Sequence, residues 1–232
     1  MKLTVLGNNG PYPGKDGACS GYVFENNGKL AVFDFGSGCL INFQKKYLIE
    51  DISFVVLTHL HFDHMSDMLV LRYALQVKKK KLDIYLPKQP KNIASVLECD
   101  EFNLLYIDES LVISRDTFTV RFKRTTHPVE TYAVRVNNEF VYSSDLAEPD
   151  DLMDFALGAD TLLIDSAFLT IQKGDKKLYH LSASECGMLA SKLNVKKIIL
   201  THFPPDSDKR QYQEEASLYF KNTVTAQIMQ EC

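Results

Sequence analysis

Four side chains that can bind a metal ion fall within one short stretch of the chain, His59-Leu60-His61-Phe62-Asp63-His64. Imidazole nitrogens and carboxylate oxygens together are ligands that zinc and the neighbouring first-row metals accept in proteins. The stretch follows the apolar run from Phe54 to Leu57, which predicts a buried strand that ends just before it. Because each ion needs three or four ligands, this cluster cannot complete two sites alone.

Three further residues are candidates for the missing ligands, and each follows a predicted strand. His127 comes after Val120 to Lys123, Asp145 after Phe140 to Ser144, and His202 after Ile198 to Leu200. Functional side chains are commonly found where rigid strands give way to loops. Taken singly, each residue also has an ordinary interpretation, as a structural histidine, a turn residue or a helix cap. The cluster at His59 to His64 favours the interpretation as ligands.

With these residues in this order, the chain resembles the metallo-β-lactamase-fold hydrolases. The resemblance implies an α/β protein, specifically an αβ/βα four-layer sandwich of two mixed β-sheets with helices on the outer faces. It also implies two divalent metal ions, with zinc favoured over manganese or iron. The implied ligands are His59, His61 and His127 for one ion, Asp63, His64 and His202 for the other, and Asp145 as the bridge. The family's early Asp-x-Gly is present as Asp34-Phe35-Gly36, and Asp34 is expected to orient a ligand.

His180 directs the choice of reaction within this family. It precedes Leu181-Ser182 and a predicted helix, and the chain then reaches Thr201-His202-Phe203. This order resembles ribonuclease Z and related phosphodiesterases, whereas lactonases and glyoxalase-type thioesterases generally lack the histidine. Ribonuclease Z also carries a long arm between its third histidine and its bridging aspartate, used to clamp transfer RNA. Here only 17 residues separate His127 from Asp145, so the arm is missing from that place.

The sequence therefore predicts a dinuclear metal-dependent hydrolase, in first place a phosphodiesterase that acts through a metal-bound hydroxide. Its expected substrate is a small-molecule, nucleotide or nucleic-acid-like phosphodiester, such as an RNA end. Asp63 is expected to orient that hydroxide and accept its proton, and His180 to stabilise charge or protonate the leaving group. A lactonase or thioesterase of the same fold is the alternative. An iron-dependent oxidoreductase, similar to persulfide dioxygenases, and a non-catalytic binding module stay open as more distant ones.

Hydrophobic periodicity and turn residues predict the elements that position these side chains. The predicted strands are Leu3 to Leu6, Gly21 to Glu25, Leu30 to Phe35, Phe54 to Leu57, Leu82 to Leu86, Thr117 to Lys123, Thr131 to Val136, Glu139 to Ser143, Thr161 to Asp165 and Lys196 to Leu200. The predicted helices are Cys39 to Tyr47, Asp67 to Gln76, Leu152 to Leu157, Ala183 to Leu193 and Gln211 to Phe220. Antiparallel strands followed by strand-helix-strand occur twice, which favours two packed sheets.

Composition sets the wider limits. With 232 residues, we expect one domain covering residues 1 to 232. The net charge of −4 argues against a dedicated nucleic-acid surface. No apolar stretch approaches the roughly 20 residues of a spanning helix, so no membrane partner is predicted. Five scattered cysteines without a Cys-x-x-Cys pair favour a reducing cytoplasm. A homodimer stays open.

Several residues have two interpretations on the sequence alone. The run Lys78 to Lys81 can contact phosphates, but a solvated helix end is the favoured interpretation. Tyr12 and Phe203 can stack on a substrate ring or pack in a wall. Cys19 lies near a glycine-rich loop and is more simply a buried thiol than a reactive one.

Overall fold

A mixed six-stranded sheet forms from the first half of the chain in this computed structural model, which describes all 232 residues. Its strands, in order across the sheet, are β1 (Lys2–Gly7), β2 (Gly21–Asn26), β3 (Lys29–Phe35), β4 (Ile52–Val56), β5 (Leu82–Leu86) and β6 (Phe102–Tyr106). The hairpin between β2 and β3 turns at Asn27 and Gly28, which both have positive φ as a tight turn requires. From β3 onward the strands pair in parallel.

The second half builds a seven-stranded sheet with the same progression from antiparallel to parallel pairing. Its strands are β7 (Val112–Arg115), β8 (Phe118–Arg124), β9 (Tyr132–Val136), β10 (Phe140–Tyr142), β11 (Thr161–Asp165), β12 (Lys197–Thr201) and β13 (Thr223–Thr225). β7 to β10 are antiparallel, and β10 to β13 are parallel. The halves therefore repeat one rhythm, as the sequence predicts.

The helices connect the strands and lie outside the sheets. They are α1 (Cys39–Gln44), α2 (Phe62–Met65), α3 (Met68–Lys78), α4 (Lys91–Ala94), α5 (Thr170–Lys173), α6 (Ala183–Leu193) and α7 (Lys209–Ser217), with short 3-10 turns at Ile49–Asp51, Ser95–Leu97 and Pro149–Leu152. None of them has both the length and the apolar character needed to cross a bilayer.

Three hydrophobic clusters hold the layers together. One lies between the first sheet and α1, α3 and α4, one between the two sheets, and one between the second sheet and α6 and α7. The alternation within β4 shows how one strand serves two of them, because Val55 faces the helices while Phe54 and Val56 face the other sheet. The predicted four-layer sandwich of two mixed sheets with outer helices is confirmed.

Element boundaries differ from the predictions where local capping decides them. α7 begins two residues earlier than predicted because the Asp208 side chain accepts a hydrogen bond from the Arg210 N–H, and it ends at Ser217 rather than Phe220. α1 ends at Gln44, three residues before Tyr47. The short strands β6, β7 and β13 were not predicted, since each forms only by pairing with a neighbour across the sheet.

The predicted helix from Leu152 to Leu157 is wrong. A single 3-10 turn, Pro149–Leu152, is followed by irregular turns up to Gly158, which has φ +68°. The Arg135 guanidinium donates to the carbonyl oxygens of Phe155 (2.7 Å) and Leu157 (3.2 Å). An arginine from β9 thus binds these carbonyl oxygens. The residues around Phe155 and Leu157 in the sequence do not indicate this contact, so it could not be predicted from them.

Candidate metal centre

One edge of the sandwich gathers all seven predicted ligands. The elements that deliver them are β4 followed by His59 and His61, α2 carrying Asp63 and His64, β8 followed by His127, β10 followed by Asp145, and β12 followed by His202. His61 is extended and directly precedes the first turn of α2, so the chain bends sharply between the second and third members of the cluster. Five of the seven are buried, and His61 and His127 are half-buried.

The backbone is held in the left-handed region at three of these strand ends. Asp34, the last residue but one of β3, has φ 55°, and Ser144 after β10 and His202 after β12 have φ of 54° and 62°. A non-glycine residue in this region is uncommon and costs of order 1–3 kcal/mol, and such residues concentrate at functional sites. Asp34 and His202 themselves reach the metal centre from these turns, and Ser144 directly precedes Asp145.

A first group of ligand atoms consists of His59, His61 and His127 with Asp145. The His61 Nδ1 atom lies 3.2 Å from His59 Nε2 and 3.2 Å from His127 Nε2. Asp145 Oδ2 lies 3.5 Å from His59 Nε2 and 3.8 Å from His127 Nε2. All four ligand atoms lie within 4.8 Å of one another.

A second group consists of Asp63, His64 and His202, again within 4.8 Å. Asp63 Oδ2 lies 3.2 Å from His202 Nε2 and 3.8 Å from His64 Nε2. The other oxygen of Asp145, Oδ1, faces this group at 3.3 Å from His64 Nε2 and 3.5 Å from His202 Nε2. One carboxylate therefore presents one oxygen to each group, which is the arrangement predicted for a bridge.

The chemistry of these atoms fits divalent cations. Ligand atoms bound 2.0–2.2 Å from a tetrahedral zinc ion lie about 3.3–3.6 Å apart, close to the spacings seen here. His64 Nε2 and Asp145 Oδ1 are buried and have no hydrogen-bond partner within the protein. The opposite ring nitrogen of His64, Nδ1, lies 2.7 Å from Asp34 Oδ2, which fixes the proton on Nδ1 and leaves the Nε2 lone pair for a cation. A buried polar atom without a partner is costly, and a cation between the groups satisfies both.

A comparison with family models decides the affiliation. The model described as a Beta-lactamase superfamily domain matches residues 30–203, which is three quarters of the chain. All seven predicted ligands lie within this range. The chain belongs to this superfamily. Metal binding is therefore the expected property of the centre, and the identity of the metal stays a prediction.

Relatives in the superfamily extend over the whole chain. The chain is 28% identical over 235 residues to the probable metallo-hydrolase YhfI of Bacillus subtilis, covering 97% of this chain and 96% of that one. The crystal structure of YhfI superposes with a TM-score of 0.93 at 27% identity, covering 100% and 98%. Ribonuclease Z of Shouchella clausii is 23% identical over 98% of this chain and 95% of its own length. A diphosphatase from the PhnP family shares the fold, with a TM-score of 0.77 at 18% identity and coverage of 100% and 96%.

The two groups of predicted ligands differ in the direction in which their surroundings shift the pKa values of their histidines. Burial favours neutral imidazoles in the first group and lowers the pKa of His127 to about 3 and of His59 to about 4. Burial opposes ionisation of Asp63 as well, but the charges of His64 and His202 outweigh it and lower the pKa of Asp63 to about 2. Burial also disfavours the charged form of His64, yet the carboxylates around it hold the pKa of His64 well above its usual value. In the second group a metal ion therefore competes with a proton.

Asp34 lies behind the second group, as predicted from the Asp-x-Gly pattern. It is fully buried, and its Oδ2 accepts from the Tyr142 hydroxyl at 2.9 Å as well as from His64. Its Oδ1 accepts from the Thr58 backbone N–H at 2.7 Å. The carboxylate thus joins β3, β4 and β10 just below the metal centre and fixes the orientation of the His64 ring.

Replacing Asp34 with asparagine is expected to lower the affinity for zinc about 10- to 100-fold, the effect typical of losing a carboxylate behind a ligating histidine. The carboxylate of Asp34 accepts hydrogen bonds at both of its oxygens, whereas an asparagine amide has one oxygen and would place its NH₂ group against one of the donors. Chelator competition measures the affinity, with far-UV circular dichroism as a check of folding. Asp67→Asn is the matched control, because Asp67 is half-buried and its Oδ2 accepts from the Leu40 N–H away from the ligands. An unchanged affinity in Asp34→Asn would contradict the assigned role.

Gly10 brings the backbone of the first loop against His202. A Cβ atom at Gly10 would lie 2.1 Å from His202 Nε2, the atom that faces Asp63 and Asp145. Gly10→Ala is therefore expected to displace the His202 ring and to weaken the second group selectively. Metal analysis after dialysis should find about one ion per chain, against two in the wild type. Retention of both ions with an unchanged hydrolytic rate would contradict this prediction, because it would show that the loop at Gly10 moves and His202 keeps its position.

Asp165 is a residue of the centre that the sequence analysis missed. It ends β11, is 1% exposed, and its Oδ2 accepts from His180 Nδ1 at 2.9 Å, while its Oδ1 lies 3.5 Å from His202 Nδ1. One carboxylate therefore supports two histidines. Its one signal in the sequence is shared with Asp145, an aspartate that ends an apolar strand, and that signal alone does not distinguish it from an ordinary strand end.

His180 reaches the metal centre, as predicted. Its ring stacks on His202 with centroids 5.0 Å apart, and its Nδ1 lies 3.9 Å from Asp145 Oδ2. Burial lowers the pKa of His180, but the Asp165 carboxylate outweighs it and raises the pKa to about 9. The following residues are fixed by the predicted capping box, in which Ser182 and Glu185 bond each other's backbone N–H at the start of α6.

A cavity of about 340 Å³ opens onto this centre, and His61, Asp63, Asp145, His180, His202 and Phe168 are among the residues that line it. Phe203 is fully buried against Tyr212 in the outer core, so of its two interpretations the structure supports packing and not stacking on a substrate. Cys19 is buried, and burial raises its pKa to about 12, as for an unreactive thiol.

The run Lys78 to Lys81 lies at the end of α3 that leads into β5. The metal centre lies past the opposite ends of the parallel strands β4 and β12. Lys78 pairs with Glu50, and Lys80 donates to the carbonyl oxygens of Glu50 and Ile52. These lysines therefore act at a helix end far along the sheet from the site, which agrees with the favoured interpretation.

Proposed function

We propose that the protein is a dinuclear metal-dependent hydrolase of phosphodiesters of the nucleotide or nucleic-acid kind. The observation that carries the proposal is the His180–Asp165 pair, which lines the cavity beside a carboxylate shared by two groups of metal ligands. A similar histidine position marks ribonuclease Z-like phosphodiesterases, and a ribonuclease Z is among the sequence relatives.

The residues that would hold the two ions are His59, His61 and His127 for one, Asp63, His64 and His202 for the other, and Asp145 between them. When bound, such ions lower the pKa of a bound water toward ~7 and polarise a phosphoryl oxygen. Two divalent ions would contribute +4, and Asp63 and Asp145 would offset two of these charges, so the floor of the cavity would be positive with the ions bound. A positive, partly enclosed floor favours an anionic substrate that gains charge in the transition state.

Asp63 and His180 have complementary proton roles in this proposal. Asp63 is ionised, since its pKa is about 2, and it lines the cavity with an oxygen able to accept a hydrogen bond from the attacking water. His180 is positive at neutral pH because Asp165 stabilises its charged form. Its Nδ1 proton is engaged by Asp165, which leaves Nε2–H to protonate the leaving oxygen or to bond a phosphoryl oxygen.

The segment between His127 and Asp145 bears on the kind of phosphodiester. It forms the β9–β10 hairpin, which turns at Asn137 and Asn138, and carries no extended arm. The clamp that ribonuclease Z uses for transfer RNA is thus missing from that place in this chain. We therefore do not extend the proposal to processing of transfer-RNA ends.

Hydrolysis of bis(p-nitrophenyl) phosphate by purified protein of known metal content tests the proposal. The expected result is turnover that a chelator abolishes and that is lost in Asp63→Ala and strongly reduced in His180→Ala. Lactone and thioester panels run on the same preparation. No phosphodiester turnover in protein holding two ions per chain, combined with turnover of a lactone or thioester, would overturn the proposal.

A further inference from the structure

The walls of the cavity carry no lysine or arginine side chain. None of its ten lining residues is lysine or arginine, and one side is made of Gly10, Pro11, Ala167, Phe168 and Pro204. Proteins that bind single-stranded nucleic acids combine stacking aromatics with a positive groove that follows the phosphate backbone. Here positive charge would be confined to the ion-binding floor and to His180 beside it, so a single phosphodiester can be held but successive phosphates find no lysine or arginine partners.

The cavity is also small. Its volume of about 340 Å³ lies at the lower end of the range for sites that take small molecules. The neighbouring walls are fixed by backbone hydrogen bonds, because Phe168 donates its N–H to Leu181 (3.2 Å) and accepts from Ala183 (2.9 Å). The wall that carries Phe168 is therefore tied to the segment that carries His180.

Two aromatic side chains lie near His180, Phe168 in the cavity lining and Tyr179 as its neighbour in the chain. The Phe168 ring lines the cavity with its centroid 6.2 Å from the His180 ring. Tyr179 is 56% exposed, and its ring lies 6.2 Å from that of His127. The Tyr179 backbone oxygen accepts from His127 Nδ1 at 3.3 Å, which holds this residue beside the metal centre. A large exposed aromatic fixed at the mouth of a site is suited to stacking on a flat ring.

We propose that the site takes a small phosphodiester that bears a flat ring, such as a nucleoside ester, and not a polynucleotide. The inference rests on the proposed phosphodiesterase activity and makes it narrower. The phosphate lies over the metal-binding floor, and the ring lies against Phe168 with Tyr179 at the rim. Phe168 and Tyr179 are thereby specificity-determining residues, since they contact the part of the substrate that does not react.

Two esters with the same leaving group separate ring recognition from chemistry. Both carry the p-nitrophenyl ring, and thymidine 5′-(p-nitrophenyl phosphate) adds a base, whereas methyl p-nitrophenyl phosphate adds only a methyl group, so the difference between them reports on the base. Phe168→Leu is expected to lower kcat/KM for the thymidine ester about tenfold or more, mainly through KM, and to leave the methyl ester within about twofold. Tyr179→Leu should act in the same direction with a smaller loss. Tyr219→Leu is the control, because Tyr219 is 48% exposed outside the cavity.

Calorimetry with thymidine 5′-monophosphate and methyl phosphate gives a second readout that needs no turnover. Tighter binding of the nucleotide, lost in Phe168→Leu, supports the inference even if neither ester is hydrolysed, an outcome that would overturn the proposed function alone. Equal loss on both esters, no loss on either, or equal binding of the two phosphates would overturn the inference. Inhibition by a 20-nucleotide single strand at concentrations well below those of the mononucleotide would overturn it as well.

Discussion

Replacing Asp145 with asparagine is expected to lower the affinity of both groups for zinc more than about 100-fold, beyond the effect of losing a residue behind a ligand, and to remove nearly all hydrolytic activity. The two oxygens of Asp145 face different groups, at 3.5 Å from His59 Nε2 and 3.3 Å from His64 Nε2. An amide offers one oxygen and turns an NH₂ group toward the other cation. No other side chain is shared between the groups in this way.

Metal analysis after dialysis, together with the rate on bis(p-nitrophenyl) phosphate, measures this effect. Asp160→Asn is the control, because Asp160 is half exposed and pairs only with Lys196 at the surface. An Asp145→Asn protein that keeps two ions per chain and a rate near that of the wild type would refute the bridging role. Loss of one ion with retention of the other would assign Asp145 to a single group.

His180→Ala is expected to lower kcat about 10²- to 10⁴-fold while both ions stay bound, the range typical of losing a positioned proton donor. Both groups of predicted ligands are complete without His180. Its ring contacts the centre by stacking on His202, by an edge-to-face contact with His127 at 5.4 Å between centroids, and by the approach of Nδ1 to Asp145 at 3.9 Å. The loss should therefore appear in the chemical step and not in metal content.

A double-mutant cycle with Asp165→Asn tests whether the two residues act as a unit. Asp165 bonds His180 Nδ1 at 2.9 Å, so the double variant should be little slower than His180→Ala alone. Metal content in Asp165→Asn reports separately on its second contact, with His202. Fully additive losses, or a His180→Ala protein that has lost an ion, would show that His180 serves structure or metal binding instead.

The sequence predicted the fold and the gathering of the seven residues for identifiable physical reasons. His59 to His64 is a local cluster, and the period of apolar residues located the strands that end at His127, Asp145 and His202. Asp34 could be selected because a pattern of adjacent residues marks it. Asp165 could not, since nothing near it in the chain distinguishes it from an ordinary strand end, and its partners His180 and His202 lie 15 and 37 residues away.

The incorrect helix prediction and the alternative left open at Phe203 were both decided by tertiary contacts. The segment from Leu152 to Leu157 has helical composition, but Arg135 from β9 binds its carbonyl oxygens. Phe203 could either stack on a substrate or pack in a wall, and it turns into the outer core against Tyr212 while His202, at φ 62°, turns toward the centre. Propensity and periodicity depend on residues that are close in sequence. These two outcomes depend on contacts with residues that are distant in sequence, Arg135 in one case and Tyr212 in the other.

The claim that these side chains hold two ions for phosphodiester hydrolysis is tested most directly by a zinc titration of chelator-treated protein. Bound zinc and the rate on bis(p-nitrophenyl) phosphate are measured at each addition. The predicted result is saturation at two ions per chain, with the rate rising mainly as the second ion binds. Saturation at one ion, or two bound ions without phosphodiester hydrolysis, would contradict the claim.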